Sequence, residues 1–117
     1  MVREGPVYSI KAHVRENGRC EAREFLDGLQ EKERVKFERY FLRTCLKGRI
    51  ANTEIFRYEG DGIWRFRSGR QRLLCFFTED DEIILTHGYQ KQKQRAPKKE
   101  LDKAKRISRE YNIKTNF

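Results

Sequence analysis

The stretch "IWRFRSGRQRLLCFF", residues 63–77, alternates Trp64 and Phe66 with Arg65 and Arg67, breaks at Ser68-Gly69, and returns through Arg70 and Arg72 into an apolar run. Alternation at period two marks a half-buried strand, and a Gly-containing break between two such runs marks a β-hairpin. With Ser68 and Gly69 as the turn, Arg67 falls opposite Arg70 and Arg65 opposite Arg72. All four guanidinium groups then leave the same side, with Trp64, Phe66, Gln71 and Leu73 behind them. Like charges facing one another across strands cost roughly a few tenths of a kcal/mol per pair. Residues 63–78 contain no acid to offset that repulsion. A local rule broken without local gain marks a functional face; the bland alternative is an exposed polar face that happens to use Arg.

A second basic segment lies downstream. Residues 88–99, "GYQKQKQRAPKK", hold Lys91, Lys93, Arg95, Lys98 and Lys99 and again no acid. The nine basic residues of these two segments equal the whole net charge of +9, so the rest of the chain is charge-balanced. Such concentration is the footprint of a polyanion-binding face, nucleic acid above all. Lys98 and Lys99 fall in the first turn of a helix opened by Pro97, where the macrodipole disfavours cations. A bound phosphate would relieve that penalty. Hairpin and helix start together suggest a groove with basic residues on both walls; a solvated helix start is the plainer alternative.

The remaining chain supplies a frame. With 117 residues one domain is expected over residues 1–117, large enough to bury roughly two-thirds of its unfolded surface. Apolar residues make up 37% and charged residues 38%, yet eight Phe, five Tyr and one Trp argue against disorder. Cys20, Cys45 and Cys75 are odd in number and form no CxxC pair, which suits reduced thiols in a cytoplasmic protein and neither a disulfide framework nor a metal site. No apolar stretch is long enough to cross a membrane, and no secretory signal follows Met1. "VYSIKAHV" (7–14) reads as a strand. Residues 21–47 read as two helices parted near "QEKE", with Ala22, Phe25, Leu26 and Leu29 on one inner face and Val35, Leu42, Cys45 and Leu46 on the other. Residues 52–62 read as a connector with a short extended piece. Three strand-like runs and a final helix with Leu101, Ala104, Ile107 and Tyr111 on one face complete the order β-α-α-β-β-β-α.

Four motifs, in this order and spacing, carry a family resemblance: "EFLDGL" (24–29), "GIWRFR" (62–67), "RLLCFF" (72–77) and "ILTHGYQKQKQRAP" (84–97). Over residues 7–111 the chain resembles the RelE/ParE toxin superfamily, in its HigB-like, phage-derived branch. The resemblance implies a RelE-like α+β fold with a small twisted, mostly antiparallel sheet, two N-terminal helices on one face and a basic groove on the other. It also implies the toxin of a type II toxin–antitoxin pair: an mRNA endoribonuclease acting at the ribosome, neutralised by a helix-turn-helix antitoxin. ParE relatives share that fold and inhibit DNA gyrase without cleaving RNA, so a gyrase inhibitor and a plain RNA-binding module stand as alternatives. Tyr89 and Gln92 depart from the Phe and Lys usual at those places.

RNA cleavage without a metal or other cofactor uses the 2′-hydroxyl as nucleophile and needs a base, an acid and cations around the crowded phosphate. Arg72 is the first choice for stabilising that charge, because a guanidinium holds two phosphate oxygens and stays protonated. Arg67 joins it, and Arg65, Arg70, Lys93, Arg95, Lys98 and Lys99 would position the RNA backbone. His87, at the end of the last strand beside the basic loop, can exchange a proton near neutral pH; a structural strand-end histidine is the alternative. Tyr89 is a proton donor or a stacking platform, or else a half-buried aromatic. Lys91 would neutralise developing charge. His13 is read as structural, and Trp64, Phe66, Phe76 and Phe77 as core.

Overall fold

The computed structural model describes residues 2–92 and 97–115, with side chains through residue 112. The elements run β1 (Ser9–Ala12), α1 (Glu21–Asp27), α2 (Glu31–Lys47), β2 (Phe56–Gly60), β3 (Ile63–Ser68), β4 (Gln71–Phe77), β5 (Glu82–Gln90) and α3 (Lys98–Thr115). They form one five-stranded sheet in the order β1-β5-β4-β3-β2. β1 lies parallel to β5 and every other pairing is antiparallel. The α+β class and the order of the other elements match the sequence reading. The connector at 52–62, however, contains a full strand, and the first strand is shorter than 7–14. β2 is an edge strand with Phe56 buried and Arg57 and Tyr58 exposed, so too little of it is inside to show a pattern.

Each sheet face has its own core. On one, Leu26 of α1 and Phe37, Phe41 and Cys45 of α2 pack on Phe66, Leu73, Cys75, Ile83 and Leu85. Phe41 meets Phe66 edge-on at 5.3 Å. On the other, Ala104 of α3, with Leu101 and Tyr111, packs on Ile63, Leu74, Phe76 and Ile84. The face expected to be a groove is therefore core at one end. α2 also turns differently from the expectation. Phe37, Phe41, Thr44 and Cys45 face the sheet, while Leu42 and Leu46 are 41% and 48% exposed. A helix with two apolar stripes buries the one with more area, and two phenyl rings outweigh two leucines.

The β3–β4 register also differs from the expectation. The turn is Gly69-Arg70, so Ser68 pairs with Gln71 and Arg67 with Arg72, while Arg65 lies between Leu74 of β4 and Arg57 of β2. Gly69 takes the first corner at φ 60°, which costs glycine little. β5 then carries a bulge: Leu73 pairs with Gly88 and Cys75 with Leu85, leaving Thr86 and His87 opposite Leu74 alone. Thr86 Oγ1 donates to Leu74 O at 3.2 Å. The extra residue reverses the alternation of β5, so Tyr89 shares the face of Ile84 despite an odd separation. It also turns Gly88 toward α1, where a Cβ would lie 2.2 Å from the Phe25 ring.

Candidate nucleic-acid interface

Beyond the α3 core, the same sheet face becomes cationic. Arg67, Arg72 and Tyr89 stand in one row across β3, β4 and β5, and Arg57 and Arg65 pair in the row below. The guanidinium groups are not all free. Arg72 is only 3% exposed, a correction to the expectation of a side chain projecting from the sheet. Its Nη1 donates to Gly69 O at 2.7 Å and to Gln71 O at 3.2 Å. Arg65, equally buried, donates from Nη2 to Thr53 O at 3.1 Å. Backbone carbonyls thus hold both cations in place. Burial first, and then repulsion from a neighbouring arginine (Arg57 for Arg65, Arg67 for Arg72), pulls both below the usual guanidinium pKa. Arg67 is half-buried, with one long bond from Nε to Gly69 O at 3.4 Å.

Lys91 belongs to the same field. Its backbone N–H donates to Arg70 O at 2.7 Å, tying the end of β5 to the hairpin tip. Its ammonium pKa is lowered by partial desolvation and then by Arg72, Arg67 and Arg65. Tyr89 is half-buried and its phenol is raised, by burial first and then by Glu59. Arg70 sits exposed at the turn instead of in a row with the other arginines.

The face also has acids that the hairpin sequence does not reveal. Glu59, on β2, accepts from Arg57 Nε at 3.2 Å and Nη2 at 3.1 Å. Its Oε1 lies 3.5 Å from Arg65 Nε, an ion pair without hydrogen-bond geometry. Arg57 and Glu59, two apart in "FRYEG", would have been legible as a face pair had that segment been read as a strand. Glu100, on α3, is the third residue missed. It meets His87 Nε2 at 3.3 Å, while His87 Nδ1 lies 3.2 Å from Thr86 Oγ1. His87 is 3% exposed. It faces Glu100 and lies in the field of Lys103 and Glu21, not the loop that follows β5. Burial, and then Lys103, holds its pKa below the usual imidazole value, with Glu100 opposing.

Lys98 and Lys99 are exposed at the start of α3. Lys93 and Arg95 lie outside the described residues. His13 is buried, 6.0 Å from the Tyr111 ring and 3.8 Å from a Glu110 oxygen. Among the described residues no group of three His, Cys, Asp or Glu side chains is spaced to hold a metal ion, and no helix is long and apolar enough to cross a membrane. The sheet face therefore brings Arg65, Arg67, Arg72, Tyr89 and Lys91 together with Arg57 and Glu59, and leaves Arg70 at the tip and His87 beside α3.

The family model described as phage-derived protein Gp49-like matches residues 24–109. The chain belongs to the Gp49-like family. This is a HigB-like toxin family, and in this Gp49-like chain the matched span takes in the whole cationic row. Among solved structures, the chain is similar to one in the crystal structure of the toxin–antitoxin complex RelBE2 from Mycobacterium tuberculosis. Identity is 15%, with 74% of this chain and 100% of that one covered, at a TM-score of 0.48. No curated protein matches the chain in sequence.

Proposed function

We propose that this Gp49-like chain acts, as a single cytoplasmic domain, as the toxin of a type II toxin–antitoxin pair and cuts mRNA as a metal-independent, ribosome-dependent endoribonuclease. The observation that carries this reading is the row Arg67–Arg72–Tyr89, in which two guanidinium groups and a phenol stand side by side on adjacent strands. Arg72, preset by its carbonyl bonds, and Arg67, with donors to spare, stabilise the pentavalent phosphate. Tyr89 gives a proton to the departing 5′-oxygen, and Glu59 takes one from the attacking 2′-hydroxyl. Lys91 offsets developing charge. His87 is the second proton-transfer candidate, acting through Glu100. Arg65 holds Glu59, and Arg57, Arg70, Lys93, Arg95, Lys98 and Lys99 follow the RNA backbone. Family membership supports the ribosome and a helix-turn-helix antitoxin as partners.

The test maps RNA ends after the chain is added to translating ribosomes. Cleavage by the 2′-hydroxyl leaves a 2′,3′-cyclic phosphate on one fragment and a 5′-hydroxyl on the other. Intact mRNA with gyrase-trapped DNA would assign the chain to the ParE-like activity. Uncut RNA bound with a log–log salt slope near −3.5, as for about five phosphates neutralised on a single strand, would make it a binding module.

A further inference from the structure

Two of the sequence motifs hold residues that the chemistry above leaves unused: Phe25 in "EFLDGL", and Thr86 and Gly88 in the run that leads into Tyr89. In the fold these residues meet. The β5 bulge sets Thr86 and His87 opposite Leu74 alone, and Gly88 resumes the pairing with Leu73 one step before Tyr89 pairs with Arg72. Without that extra residue, strict alternation would turn Tyr89 to the face of Ile83 and Leu85, away from the arginines. A bulge interrupts the ladder, so something else must hold it. The Thr86 hydroxyl donates to Leu74 O at 3.2 Å, inside the interrupted part. His87, the other bulge residue, lies under α3 with Nε2 3.3 Å from Glu100 Oε1. On the opposite face the Phe25 ring of α1 lies against Gly88. A Cβ there would stand 2.2 Å from Phe25 Cδ2 and 2.4 Å from Cε2 and Cγ. Phe37 backs that ring edge-on at 6.4 Å. Gly88 is not among the glycines with positive φ, so the close approach alone calls for glycine. Beyond Tyr89 the strand is tied again, by Gln71 Nε2 to Gln90 Oε1 at 3.4 Å and by the Lys91 N–H to Arg70 O.

We infer that Thr86, Gly88 and Phe25 are positioning residues for Tyr89. The Thr86 hydroxyl closes the bulge and the Phe25 ring, seated on Gly88, sets its depth, so that the phenol stands in the row with Arg72 and Arg67. Phe25 acts from the far face of the sheet, through the strand backbone. The inference rests on the reading of Tyr89 as the proton donor to the departing 5′-oxygen. A donor misplaced by about 1 Å loses its alignment, at a cost on the order of 10²-fold in rate.

Two readouts test it, one of them independent of RNA. In the full chain isotope-labelled at tyrosine Cζ, the NMR line that Tyr89→Phe removes belongs to Tyr89. Thr86→Val keeps the side-chain shape and deletes the hydroxyl, while Gly88→Ala drives a methyl into the Phe25 ring. Both should shift the Tyr89 line and leave that of Tyr58, on β2, in place. Thr86→Ser keeps the hydroxyl and should restore the parent line. Phe25→Ala added to Gly88→Ala should do the same, because it clears the ring atoms. RNA cleavage should follow the line: kcat down ~10-fold or more for Thr86→Val, with KM within about twofold of the parent. In a Tyr89→Phe background Thr86→Val should cost nothing further, since a positioning residue acts only through the group it positions. Thermal melts check folding, and if Gly88→Ala does not fold, Thr86→Val decides. The inference is overturned if the Tyr89 line stays in place in Thr86→Val, if Thr86→Ser behaves as Thr86→Val does, or if the loss of kcat is the same in the Tyr89→Phe background. A chain that cuts no RNA would defeat the functional reading above, and the Tyr89 line would still decide the placement.

Discussion

Ile63, Phe76 and Ile84 share a sheet face with Arg65, Arg67 and Arg72, a few residues along the same strands, yet the two ends have opposite fates. At the first end α3 lays Leu101 and Ala104 over the strands, and the face becomes core. At the second, backbone carbonyls at the hairpin tip and at Thr53 hold the guanidinium groups, and an edge-strand carboxylate pairs with one of them. Alternation along a strand decides which residues share a face. What covers that face decides whether it is a core or a site.

Breaking the apolar end should cost the most stability. Phe76, 4% exposed and against the Tyr111 ring, becomes a cavity in Phe76→Ala, and the chain should lose ~3–5 kcal/mol on denaturant unfolding. RNA cleavage by the fraction still folded should be near that of the parent. A large loss of cleavage per folded molecule would mean that the two ends are coupled.

The cationic end should respond in the opposite way, and unevenly. Arg67→Ala removes a half-buried side chain with one long hydrogen bond, so stability should move by less than ~1 kcal/mol. Cleavage should fall ~10²–10³-fold. Arg72→Ala should lose as much activity and also ~1–3 kcal/mol of stability, because its two carbonyl bonds go with it. Paired melts and cleavage rates separate these cases. An Arg72→Ala protein as stable as Arg67→Ala would mean that the carbonyl contacts do not anchor the row.

The smallest effect sharpens the border between the ends, where His87 lies under α3. Its pKa in the folded chain is depressed, so as pH falls below ~6.5 the unfolded chain takes up the proton first. Its contribution to stability is whole above that value and is lost as pH drops toward the lower folded value. Stability curves from pH 7.5 to 5 should therefore fall less steeply for His87→Gln than for the parent. Equal slopes would place His87 outside the buried cluster.

Much of this arrangement was legible beforehand. Period-two alternation revealed β3, strand-like runs set off by turn residues revealed β4 and β5, and period 3.6 revealed all three helices. The Leu101–Ala104–Ile107–Tyr111 face of α3 packs as its spacing implies. β2 escaped because an edge strand buries little, and with it went Glu59, the acid that makes the arginine face more than a self-repelling patch. The outward turn of α2 escaped because two stripes on one helix compete through the area each buries, and only the sheet's shape settles that competition.

By itself the sequence determined that two short segments carry the entire excess charge, that the first is a hairpin with arginines on one side, and that its motifs are those of a HigB-like toxin. Local spacing and composition suffice for those conclusions. Tertiary structure alone decided that the hairpin turns at Gly69-Arg70, that Arg72 is buried on carbonyls, that Tyr89 joins the arginine row and that His87 does not. The physical reason is register. One residue gained at the β5 bulge sends every later side chain to the other face, a turn moved by one residue changes which side chains stand opposite each other, and pairing across strands, which no single segment encodes, chooses among these arrangements.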